Sequence, residues 1–273
     1  MVYDVEKWKA VASQFVISND YVFGSVLSHS EICTRFIQLV IPELRLKQPV
    51  KVTKQVTAAV DSKGKSIRLD IKAVDEKGQI YDIKMQNINS LKDLEPRIRY
   101  YGSLIDCDTI GKGDKYRKLP NAFIIFVCNF DYKGYGKSLY DFSMRDQYDP
   151  SIELHDGRRV ILVNCKEAHN LPDKRFESLS RFIQYVQTNT PNDDFTHLVH
   201  HYVQESKKKP AERKEFMEYL SMESKIAYLN NELKNERNGR LQAEAKVARA
   251  EEEMRRLKEL LAKYMAEEDK KLH

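Results

Sequence analysis

Between Ser66 and Gln86 apolar and polar residues alternate strictly on both sides of a turn. Ile67, Leu69, Ile71 and Ala73 alternate with Arg68, Asp70 and Lys72, and Asp75-Glu76-Lys77-Gly78 supplies turn chemistry. The return run sets Tyr81, Ile83 and Met85 on one side and Asp82, Lys84 and Gln86 on the other, because strand side chains alternate with period two. The pattern predicts a β-hairpin with two admissible registers. A three-residue loop from Glu76 to Gly78 sets Asp70 opposite Lys84, whereas a five-residue loop from Val74 to Gly78 sets it opposite Asp82. Either register gathers Asp70, Asp82, Lys84 and Gln86 on one face.

The remaining pattern surrounds this hairpin with further elements. Ser28 and Glu31 have capping-box spacing, and Ile32, Phe36, Leu39 and Val40 follow at helical intervals up to Pro42. Val50 to Val60 alternates like a strand. A helix is expected from a Ser90 cap to about Ile110, with Ile98, Tyr101, Leu104 and Ile105 inward. The continuous apolar run Ala122–Cys128 predicts a strand covered on both faces. Short strands are expected at Ser138–Arg145 and Arg159–Val163, then helices around Phe176–Val186 and Asp193–Ser206. The fold class is therefore mixed α/β with a central sheet.

Beyond the Lys207-Lys208-Lys209-Pro210 break the period changes to heptads. From Ile226 the a positions are Ile226, Leu233, Arg240, Val247, Met254 and Leu261. The d positions are Leu229, Glu236, Ala243, Ala250, Leu257 and Tyr264. Glu232/Arg237, Lys246/Glu251 and Glu253/Lys258 are opposite charges at g-to-following-e spacing, which favours parallel pairing. A coiled-coil homodimer through residues 226–267 is expected.

Composition narrows the setting. The net charge of +5 falls entirely within residues 1–210, since basic and acidic residues balance after that point. A basic globular part suits a nucleic-acid partner. No apolar run is long enough for a bilayer, and the first residues lack the pattern of a signal peptide. A cytoplasmic protein without membrane attachment is expected. Cys33, Cys107, Cys128 and Cys165 are widely spaced in apolar contexts and read as buried thiols.

Several chemical candidates fall away. His197 and His201 have the i,i+4 spacing of zinc ligands but lack the intervening Glu and a third ligand. Gly111-Lys112-Gly113 lacks the spacer and terminal Lys-Ser/Thr of a phosphate-binding loop. Arg97-Ile98-Arg99-Tyr100-Tyr101 interleaves cations with aromatics, either as a solvated helix face or as a phosphate contact beside the hairpin. On the hairpin, one carboxylate with an acid and a lysine two apart on the neighbouring strand suits metal-assisted phosphodiester hydrolysis.

In order and spacing, Asn19–Gly24, Glu31–Gln38, Arg68–Ile71, Tyr81–Gln86, Arg97–Tyr101 and Phe123–Asp131 resemble the PD-(D/E)XK nuclease family transposases, from about Asp20 to Tyr202. The resemblance implies a restriction-endonuclease-like core over residues 1–206. Residues 207–225 would be a linker and helix start, and 226–273 a coiled-coil helix. It implies Mg2+-dependent (or Mn2+-dependent) DNA cleavage, with Asp70 as metal ligand and Gln86 as a catalytic group on matching positions; Asp82 is expected as a substitute second metal ligand and Lys84 as a further catalytic group. Glu31 is the candidate outer carboxylate, and Arg68, Arg97, Arg99 and Tyr100 are candidate DNA contacts. The family usually carries Glu-x-Gln where this chain reads Lys84-Met85-Gln86. Either Asp82-Ile83-Lys84 serves as a shifted (D/E)-x-K, or this copy retains binding or assembly without cleavage.

Overall fold

In the computed structural model, residues 5–58, 67–87 and 93–269 are described. Six strands form one mixed sheet: β1 (Lys51–Ala58), β2 (Ile67–Val74), β3 (Ile80–Gln86), β4 (Ala122–Cys128), β5 (Leu139–Phe142) and β6 (Arg158–Asn164). Their spatial order is β1-β2-β3-β4-β6-β5. The first three strands form an antiparallel meander, β3, β4 and β6 run parallel, and β5 returns antiparallel along the edge.

The hairpin turn fixes the register. Asp75 Oδ1 accepts from the backbone N–H groups of Lys77 and Gln79 at 2.9 Å each, and Oδ2 accepts from the Tyr81 hydroxyl at 2.9 Å. Gly78 adopts φ of +79°, which a side chain would oppose. Ile71 then pairs with Ile83, Lys72 with Asp82 and Ala73 with Tyr81. This is the register of the three-residue loop.

β4 is buried at every position because it lies inside the sheet with both faces covered. On one face α4 (Leu94–Thr109) lays Leu94, Ile98, Tyr101, Leu104 and Ile105 over Ile80, Ile124, Phe126 and Leu162. Each such fully buried side chain contributes about 1.5–3 kcal/mol. On the other face, Tyr81, Ile83, Phe123 and Ile125 are buried, and α2 (Asp20–Leu27) packs on β2 and β3. Behind α2 lie α3 (Ser30–Val40), α5 (Glu177–Thr188) and α6 (Asp194–Lys208), joined through Phe23, Phe36, Phe182 and Phe195. Leading the chain is α1 (Val5–Val11).

Local signals explain most boundaries, with some corrections. Asn19 caps α2 by accepting from the N–H groups of Tyr21 and Val22, and Asp193 caps α6 in a capping box with Thr196. The capping box expected from Ser28 and Glu31 does not form. Ser28 instead closes α2, its hydroxyl donating to Ser25 O at 2.6 Å, and His29 is the N-cap of α3. Pro96 falls in the first turn of α4, while Ser90 lies outside the described residues. β5 stops at Phe142, and Arg145 makes only an isolated bridge with Glu153.

The break at Lys207–Pro210 is a single residue, Lys209, before α7 (Pro210–Asp269) begins. The compact unit extends to Met217. Phe216 is fully buried against Trp8, Phe15 and Tyr21, and the Tyr21 and Ser25 hydroxyls donate to Glu215 and Glu212 at 3.0 and 3.1 Å. The second unit starts at Glu218 and is helical to Asp269. From Ser221 to Leu261 every side chain of that helix is exposed, including the apolar a and d positions.

Candidate functional site

The β2–β3 ladder carries the site on the face covered by α4. Lys72 stands opposite Asp82, and continuing the register by two residues sets Asp70 opposite Lys84. Same-face neighbours along each strand are two residues apart, so the four positions form a checkerboard: Asp70 and Lys72 on β2 against Lys84 and Asp82 on β3. Asp82 is 1% exposed, and Lys84 and Gln86 are half-buried toward the end of β3. Across the other edge of β3, Asp82 is level with Ile124 and Lys84 with Phe126.

α4 supplies the polar partners. Lys72 Nζ lies 2.9 Å from Asp108 Oδ2. Arg97 donates from Nη1 to Gln86 Oε1 at 3.3 Å and from Nη2 to the Tyr101 hydroxyl at 3.4 Å. Its guanidinium also lies 5.6 Å from the Tyr101 ring centroid, which holds the cation in place. Gln86 and Arg97 are therefore brought together. Arg99, two residues on, is exposed and lines a different surface with Ile98 and Glu95. Tyr100 packs against the apolar cluster under α4. Arg68 and Asp70 lie on β2, and their side chains fall outside the described residues.

Glu31 is exposed in the first turn of α3. Among the described residues it makes no hydrogen bond or ion pair with the ladder. Sequence reasoning missed Lys72 and Asp108. Lys72 carried the same alternation signal as Asp70, whereas nothing local marks Asp108 as its partner.

The other candidates resolve simply. His200 bonds through Nδ1 to the Tyr185 hydroxyl and through Nε2 to Gln204, both at 3.2 Å, while His197 and His201 are exposed. Burial, with His197 nearby, pushes the His200 pKa down. Cys33, Cys128 and Cys165 are buried as expected, but Cys107 is exposed on α4. A run of apolar neighbours does not reveal which helix face a residue takes.

Asp70, the first of the expected metal ligands, has its side chain outside the described residues. Among the described residues no group of three or more His, Cys, Asp or Glu side chains is placed to hold a metal. On the ladder each acidic position is flanked across and along the sheet by a lysine, and an ammonium repels a divalent ion from a neighbouring carboxylate. Gln86, the remaining polar group, already accepts from a cation.

A mixed six-stranded sheet flanked by helices makes this an α/β protein, consistent with a PD-(D/E)XK nuclease fold. The chain belongs to the PD-(D/E)XK nuclease family transposases, whose family model matches residues 17–234. Comparison with curated proteins and with solved structures gives no match. No helix among the described residues is long and apolar enough to cross a membrane.

Proposed function

We propose that this chain is a DNA-binding protein of the nuclease-transposase family that does not itself cleave DNA with a metal ion. The observation that carries this reading is the β2–β3 register, in which Lys84 takes the position opposite Asp70 and Lys72 the position opposite Asp82. Alternating charges of this kind stabilise a ladder by about 0.2–1 kcal/mol per pair. DNA is the expected ligand because the family is one of nucleases and the positive excess lies in residues 1–210.

A second reading is an Mg2+-dependent or Mn2+-dependent endonuclease, favoured by the spacing of Asp82-Ile83-Lys84 on one strand face. In it Asp70 and Asp82 hold the metal, which would supply Lewis-acid assistance to phosphodiester hydrolysis. Lys84 positions the attacking water or stabilises the phosphorane, and Gln86 orients water or substrate. Plasmid nicking in Mg2+ or Mn2+ separates the two. No cleavage with retained DNA binding is expected. Cleavage that Asp70→Ala abolishes would establish the second reading.

We further propose that residues 226–267 pair two copies as a parallel coiled coil. Ile226, Leu229, Leu233, Val247, Met254, Leu257 and Leu261 are between 47 and 62% exposed, an apolar seam along one helix.

A further inference from the structure

Beside the first turns of α4, the same sheet face opens into a cleft that the ladder does not use. It has two lobes of about 550 and 320 Å3, and Glu95, Lys133 and Phe142 line both. Tyr132, Tyr135, Tyr140 and Lys137 complete one lobe. Ile98, Val160 and Leu162 give the other an apolar floor, with Arg99 and Arg158 beside it.

The aromatic walls are held rigidly. Asp131 accepts from the N–H groups of Gly134 and Gly136 at 3.0 and 2.7 Å and from the Tyr140 hydroxyl at 2.7 Å. That hydroxyl in turn accepts from the N–H groups of Tyr135 and Lys137 at 3.2 and 3.3 Å. The loop is thus braced from within, yet it leaves Tyr135 77% exposed, and Phe142 nearby is 40% exposed. The Tyr140 and Phe142 rings are parallel, with centroids 6.4 Å apart.

Cations stand around this aromatic surface. Lys133 Nζ lies 5.7 Å from the Phe142 ring centroid and is paired with Glu95 at 2.6 Å. Lys137 and Arg99 are exposed, and among the described residues neither makes a salt bridge. Stacking surfaces edged by unneutralised cations match a nucleic-acid strand whose bases are unpaired, with π-faces for the rings and phosphates for the cations.

We propose that this cleft binds single-stranded DNA, with a base against Phe142 and Tyr135 and phosphates at Lys137 and Arg99. The loop is continuous with the ladder site: Asn129, at its start, donates from its backbone N–H to Gln86 O at 3.0 Å. The inference rests on the DNA reading above and adds the form of DNA and the place it is held.

The test is fluorescence anisotropy of the full chain with a labelled oligothymidylate of about 20 nucleotides and with a duplex of equal length. Tyr135→Ala and Phe142→Ala are each expected to weaken oligothymidylate binding on the order of tenfold, with duplex binding within about twofold of wild type. Phe142→Trp keeps a stacking ring and is expected to retain binding, which separates stacking from misfolding. Equal losses for both probes, or single-strand affinity unchanged in both alanine variants, would overturn the cleft assignment while leaving DNA binding intact. Failure of the wild type to bind either probe would overturn DNA binding itself.

Discussion

Lys72 faces Asp82 directly across the β2–β3 ladder, yet its ammonium reaches Asp108 on α4 at 2.9 Å. The lysine therefore ties the helix to the hairpin while remaining the cross-strand neighbour of a carboxylate that is 1% exposed. Positive charge is built into the ladder from two directions, by Lys72 and by Lys84. That arrangement bears on how the face would respond to a metal.

Lys84→Glu is the direct probe. It replaces the ammonium opposite Asp70 with a carboxylate, and two facing carboxylates bind Mg2+ or Mn2+ better than one beside a cation. Calorimetric titration is expected to show metal binding by the variant and little by the wild type. Without metal, facing like charges should lower the thermal midpoint by a few degrees, and added Mn2+ should restore it. Equal affinity in both forms would remove any metal role from this residue.

Self-association is expected to depend on the heptad segment. Light scattering should give a dimer for the full chain and a monomer for residues 1–217. The cut must follow Met217, because ending the chain at Pro210 would also remove Phe216 from its pocket beside Trp8 and Phe15. Loss of a buried phenylalanine costs about 3–5 kcal/mol and would confuse unfolding with dissociation. A dimer that survives in residues 1–217 would place the interface elsewhere.

Thiol reactivity should distinguish the cysteines. Burial pushes the Cys33 and Cys128 thiols up to about 12 and raises Cys165 as well, whereas Cys107 is exposed. A disulfide reagent at neutral pH is therefore expected to modify Cys107 rapidly in the native protein and the other three only on denaturation. Rapid modification surviving Cys107→Ser would contradict this.

The braced loop predicts an acid sensitivity. Burial raises the Asp131 pKa, but hydrogen bonds from Tyr140 and from the Gly136, Gly134 and Lys133 N–H groups outweigh it and hold the carboxyl below its usual value. A depressed folded pKa means a contribution present above the unfolded value near ~4 and lost as pH falls through the lower folded one. Asp131→Asn should lower the thermal midpoint at neutral pH, and the gap from wild type should shrink on acidification below about pH 4. A gap independent of pH would show that the charge is immaterial.

The sequence made the hairpin and its shared face legible because period-two alternation acts within one strand. It also marked β4, since seven consecutive apolar residues after a proline are typical of a doubly covered strand. Two long-range facts escaped it. The first turns of α7 belong to the compact unit because Phe216 meets Trp8, far away in the chain. The cleft arises because α4 leaves part of β5 and β6 uncovered, a packing outcome with no local signature. Position 84 was readable as a departure from the family pattern, but its charge environment depended on the register.

The central position of β4 also orders the birth of the protein. During synthesis β1, β2 and β3 can pair as neighbours in sequence, and β4 can join β3 after α4. Its other edge stays open until residues 129–157 have followed and Arg158–Asn164 arrives. An apolar strand with an unpaired edge is an aggregation hazard. Nascent chains arrested before Arg158 should therefore associate with chaperones more than chains arrested after Asn164, as co-purification would measure. Ribosome speed between β4 and β6 thus sets how long this protein remains vulnerable before it is whole.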